Sequence, residues 1–214
     1  GAGGMLVRLD DAVKSGEEEL GFAQAQFGEA AAVEFQQAIE QAKTSLREAF
    51  SIQQRLDDAE PEPPQEAREM VLRIISLCEE AGAAIEAQSG AFDDLRALEQ
   101  RLPSAVPSLE TGLAAARERV GPATTALQAL AARYSAAAIA PVAGNVEQAN
   151  GLIAFAEEHR CAAQRAIAAG TTGEAALAVR DADAALVQVG ALLTAIDDAR
   201  RTLADASAQL HAAT

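Results

Sequence analysis

The stretch AALAVRDADAALVQVGALLTAIDDARRTL, residues 175–203, decides the fold class. Its apolar positions Val179, Ala182, Leu186, Val189, Leu193, Ile196 and Leu203 fall three, four or seven residues apart, and the same rhythm reaches Leu210. Such a/d spacing is that of a helix burying one stripe against other helices. Upstream, Thr171 or Thr172 followed by Glu174 offers a capping box. Gly170 is a suitable stop for the helix before it.

Working outward, that preceding helix carries Val142, Val146, Ala149, Ile153, Ala156 and Ile167. A third helix carries Val106, Leu109, Leu113, Ala116, Val120, Leu127, Leu130 and Tyr134. Pro103 and Pro107 mark the turn before it, with Ser104 or Ser108 as N-cap. Gly121-Pro122 is expected to kink or interrupt it and Pro141 to end it. A helix starting near Gln65 carries Met70, Ile74, Leu77, Ala81, Ile85, Phe92, Leu95, Leu98 and Leu102. The break before it is Glu60-Pro61-Glu62-Pro63-Pro64, where prolines exclude helix.

The first helix is expected from Leu6 to Ala59. Its seam runs Leu6, Leu9, Val13, Leu20, Ala23, Phe27, slips by one near Gly28, and resumes at Phe35, Ala38, Ala42, Leu46, Ala49, Ile52, Leu56. Unbroken, that length at about 1.5 Å per residue gives a rod of roughly 80 Å. Gly16, Gly21 and Gly28 are its weak points.

The expected architecture is therefore all-α: an elongated bundle of about five long antiparallel helices with coiled-coil-like packing. Residues 1–4 read as a cloning scar or the cut edge of a longer chain, residues 5–102 as a long helical hairpin, and residues 103–214 as a second hairpin or bundle portion. The last helix meets no stop signal, as expected of a chain that continues.

Composition agrees. Alanine supplies 54 of 214 residues, aromatics only 3%. Alanine and leucine suit closely packed helices, whereas thick cores and ligand pockets recruit large rings. No segment alternates with period two beside turn residues, so no strand is expected.

The net charge of −15 argues against nucleic acid as a partner and against docking on anionic lipid. No run approaches the ~18 apolar residues that cross a bilayer. No direct membrane insertion by this stretch is expected.

Catalytic chemistry finds no foothold, and a non-enzyme without cofactor is expected. Bundle metal sites use Glu-x-x-His, but His159 follows Glu157 and Glu158 directly, and His211 stands apart. His159 and Cys161 are two residues apart and diverge on a helix. Cys78 and Cys161 sit among apolar neighbours. Buried reduced thiols are the expectation, although spacing alone does not exclude a disulfide. Adjacent acids such as Glu17-Glu18-Glu19 point about 100° apart and read as solvated surface.

The phenylalanines of the first helix carry the interaction reading. Phe27 and Phe35 lie on the seam, Phe22 lies off it and Phe50 borders it. Phe22 and Phe50 either widen the core or form an interface. Glu18, Phe22 and Phe50 are the candidate interaction residues, for a protein partner or for self-association.

Several segments resemble, in the same order, actinobacterial TPM-domain-containing membrane proteins. They are LVRLDDAVKSGEEELGFAQAQFG (residues 6–28), LREAF (46–50) with QRLDD (54–58), AFDDLRALE (91–99) and APV (140–142). In that family an extracytoplasmic α/β TPM domain precedes a transmembrane helix, basic residues and a long helical region. This chain resembles the start of the helical region and lacks the TPM domain. No TPM activity or metal site carries over. The resemblance implies a membrane-anchored whole protein, with this part at the cytoplasmic face of the inner membrane. The expected function is a juxtamembrane spacer and protein-interaction scaffold. The alternatives are a phage-shock-like coiled coil that binds membrane or senses envelope stress, and a small-molecule-binding helical bundle.

Overall fold

Gly28 settles the course of the first half of the chain. In the computed structural model, which describes residues 2–58 and 62–212, it holds φ +91°, a left-handed conformation that side chains resist. The expected single rod is accordingly two helices, α1 (Ala2–Phe27) and α2 (Val33–Leu56), joined through a short 3-10 turn, Ala30–Ala32. The remaining helices are α3 (Pro64–Gln100), α4 (Leu102–Arg133), α5 (Ala136–Ile139), α6 (Asn145–Ala169) and α7 (Thr172–Ala212). The described residues contain no strand, and the all-α bundle holds with seven helices in place of five. The two extra ones come from the reversal at Gly28 and from α5, whose N-cap Ser135 accepts from the Ala138 amide. Gly1, the expected helix end at Ala59, Glu60 and Pro61 of the proline break, and the side chains of Leu210 and His211 lie outside the described residues.

The chain divides into two compact units, Gly1–Arg96 and Ala97–Thr214, with the division inside α3. In the first unit α1, α2 and α3 run up, down and up. Lys43 meets Glu17 at 2.6 Å and Arg73 meets Glu48 at 2.9 Å, the registers of two antiparallel pairs. Gly16 of α1 faces Ile85 of α3, and Glu19 accepts from Ser89 at 3.0 Å and from Arg96 at 2.8 Å, so the two numberings rise together and α3 runs parallel to α1. Exposed pairs of this kind are screened by water and contribute little to stability. The apolar seams do the larger share. Leu6, Leu9, Ile39, Ile74, Ile85 and the three rings of Phe27, Phe35 and Phe92 are buried between the helices.

The second unit repeats that up–down–up order with α4, α6 and α7. Arg117–Glu157 and Arg160–Glu110, at 3.2 and 3.1 Å, fix α4 antiparallel to α6. Gly112 faces Leu186 and Arg119 donates to Thr194 at 3.1 Å, so the two numberings rise together and α4 runs parallel to α7. Gly170, at φ +77°, closes α6 as its sequence position predicts. Asn145 is buried, and its amide donates to the Leu192 carbonyl at 2.9 Å.

The prolines of α4 correct the expected turn and interruption. The break is the single residue Arg101, not Pro103–Pro107, and neither serine caps the helix. α4 then continues through Pro107 and Pro122. Both prolines lie on the exposed face, where the carbonyls they leave without an amide partner are open to water. Tyr134, extended at ψ 157°, ends α4 before Pro141 is reached.

The glycines of α1 yield a paired expectation. Gly28→Ala should lose about 1 kcal/mol in urea unfolding, because nothing crowds its Cβ and the cost is backbone alone. Gly21→Ala, mid-helix and equally open, should gain about 0.5–1 kcal/mol.

Candidate functional site

The structure brings two of the three candidate interaction residues close together and sets the third further along the α1–α2 hairpin. Glu18 and Phe22 lie one turn apart on α1, on the same exposed face. Phe22 is 70% exposed, so it adds nothing to the core. Phe50, on α2, is 44% exposed. The Lys43–Glu17 pair sets the register of the hairpin. From it, Phe22 lies five residues towards the turn and Phe50 seven residues away from it, about 18 Å apart along the axis.

A feature the sequence did not announce is a groove of about 620 Å³ between α1 and α3. Leu9, Gly16, Cys78 and Ile85 form its floor, and Arg8 and Glu86 stand on its rim. It exists because Ala12, Gly16 and Gly82 are small where two parallel helices pass. A Cβ on Gly16 would meet Ile85 Cγ2 at 3.3 Å, whereas one on Gly82 would meet open space. The only sequence signal was two glycines brought level by the α1–α3 register, which depends on the reversal at Gly28.

The thiol in this groove is Cys78, on α3. Burial pushes Cys78 above the ordinary thiol value, and the Arg8 charge only partly opposes it. A reactive cysteine requires the opposite shift. Both cysteines are free, Cys78 buried and Cys161 half-buried.

The other chemistry-bearing cluster lies on α6. His159 packs on Phe155 with ring centroids 4.0 Å apart, and its Nδ1 stands 4.0 Å from an Asp181 carboxylate oxygen, too far for a hydrogen bond. Cys161 instead lies beside Glu157 and Arg160. The Arg160 and Arg117 guanidiniums hold the Glu157 carboxyl below its usual range. That is an ion-pair network tying α6 to α4. Among the described residues no group of three His, Cys, Asp or Glu side chains is placed to hold a metal, and no helix is long and apolar enough to cross a membrane.

No family model matches the chain, and no solved structure matches it. Two curated proteins of Mycobacterium tuberculosis do, UPF0603 protein Rv2345 and UPF0603 protein MT2410 from two strains. Each is 36% identical over 191 residues, covering 88% of this chain. The chain spans 29% of the length of these relatives, less than a third of either.

Proposed function

We propose that the chain is a non-catalytic helical domain of a larger membrane-anchored protein, serving at the cytoplasmic face as spacer and protein-interaction scaffold. The observation that carries this reading is Phe22. It is a large ring, 70% exposed beside Glu18, on a helix whose core stripe is complete without it. An exposed ring of this kind costs solubility and is a common anchor of protein interfaces. The resemblance to the helical region of TPM-domain membrane proteins supports the membrane anchoring. The matched stretch being a minor part of its relatives supports the larger protein.

The test is photocrosslinking in the full-length protein in membranes, with the reactive residue at position 22 or at the exposed polar position Gln148. Position 22 should give a discrete crosslink to a protein, either a partner or a second copy, and position 148 should not. Phe22→Ala should leave unfolding free energy within about 0.5 kcal/mol, as for surface changes generally. No crosslink at 22, or equal crosslinking at both positions, would overturn the proposal.

A further inference from the structure

In the second unit, the outer side of the α4–α7 pair carries three adjoining cavities of about 390, 480 and 180 Å³. The first two share Ala115 and Arg119, and the last two share Ala126 and Arg200, so they form one continuous groove. It follows α4 from Ser108 to Tyr134, about 39 Å at the helical rise. Ala116, Val189, Leu193 and Leu130 give it an apolar floor. Val187, 73% exposed, stands on its edge.

The two ends of the groove carry opposite charge. Arg133 and Arg200 stand at the Tyr134 end. Arg133 lies over the Tyr134 ring at 5.5 Å and has no carboxylate partner among the described residues. Arg200 has only a loose contact with Asp197, at 3.7 Å. At the opposite end stands Asp183, with no ion pair among the described residues and with its carboxyl raised above the ordinary value by burial alone. The middle is mixed in sign, lined by Glu118, Arg119 and Asp197, and there Arg119 donates to the Thr194 hydroxyl.

α4 and α7 are parallel; α4 ends at Arg133, so its negative helix end lies there, whereas α7 continues past Arg200 to Ala212. A helix laid antiparallel to both would bring its own positive N-terminus to that end. Helices favour acids in the first turn and bases in the last. Acids there would meet Arg133 and Arg200, and bases at the far end would meet Asp183. α6 already packs antiparallel on the other side of the pair, so such a helix would complete a four-helix arrangement. We infer that the α4–α7 groove receives one amphipathic helix of a protein partner, antiparallel to α4 and α7, with an acidic first turn and a basic last turn. The site lies on a different unit from Phe22 and stands or falls separately from the surface proposed above.

The test uses the whole 214-residue chain and two synthetic peptides of about 24 residues, roughly 36 Å when helical. Both carry the same Leu/Ala stripe. One has a Glu-rich first turn and a Lys-rich last turn, and the other has these reversed. By fluorescence anisotropy the first should bind at least about ten-fold more tightly. Ala115→Trp, at an exposed position shared by two of the cavities, should weaken that binding at least about ten-fold while leaving the circular-dichroism melt unchanged. The reversed peptide is also the poorer helix, so the deciding arm is the charge-swapped chain R133E/R200E, which should lose or invert the preference.

Three results would overturn the inference. They are equal binding of both peptides, binding unaffected by Ala115→Trp, and a preference retained by the charge-swapped chain. A concentration-dependent dimer that Ala115→Trp dissolves would also overturn it, by assigning the groove to a second copy.

Discussion

Phe92→Ala should lose about 3–5 kcal/mol of unfolding free energy, the range for emptying a buried ring site. Phe92 is 3% exposed and meets two other buried rings: Phe27 from the end of α1, with centroids 5.6 Å apart, and Phe35 from the start of α2, at 5.7 Å. The three side chains tie all three helices of the first unit together next to the reversal at Gly28. Removing one ring costs its transfer from water and the cavity it leaves, together with roughly 0.5–1.5 kcal/mol for each ring pair. The neighbours cannot collapse easily into the space, because Phe27 and Phe35 are held by the turn between α1 and α2. Urea unfolding followed by circular dichroism gives the number. Phe22→Ala, removing an exposed ring of the same size, is the reference and should stay near zero. A loss below about 1 kcal/mol for Phe92→Ala would mean that the three rings do not form a tight core.

Each member of that cluster was legible by itself. Phe27 and Phe35 fall on the seam of the first predicted helix and Phe92 on the seam of the next. Their meeting was not legible, because it depends on the chain reversing at Gly28. The seam slip at that point was visible, but no proline marks it, and the alanines at 30–32 are as good in a helix as in a turn. Tertiary packing decided the matter. Folded back, α1 and α2 both bury their stripes against α3, whereas a straight rod would have run beyond it. The prolines of α4 mislead in the other direction. Local sequence reads Pro107 and Pro122 as breaks, but on an exposed face the carbonyls they free find water, and the apolar stripe holds the helix together. Grooves are the least legible feature. The α1–α3 and α4–α7 grooves both depend on which small residues of two distant helices come level, and a single chain scanned for periodicity does not state that register.

Alanine content was the compositional clue, and its consequence is the second large effect. Ala149, Ala156 and Ala163 of α6 are seven residues apart and fully buried, and so are Ala175 and Ala182 of α7. One heptad of small residues faces a partner helix that is itself small there, so the helices pass with no room for a larger side chain. Ala156→Leu adds three carbons, which simple transfer would reward by about 0.8 kcal/mol per methylene. In a site without space the added volume forces helix displacement or strained rotamers, so that reward is not realised and the net loss is about 1–3 kcal/mol, sometimes more. The packing term should win, with a net loss of stability in urea unfolding. Ala154→Leu, two residues away and exposed, should stay within about 0.5 kcal/mol. A gain at position 156 would show a gap between α6 and α7. The abundance of alanine would then reflect helix propensity alone, not close approach of helices.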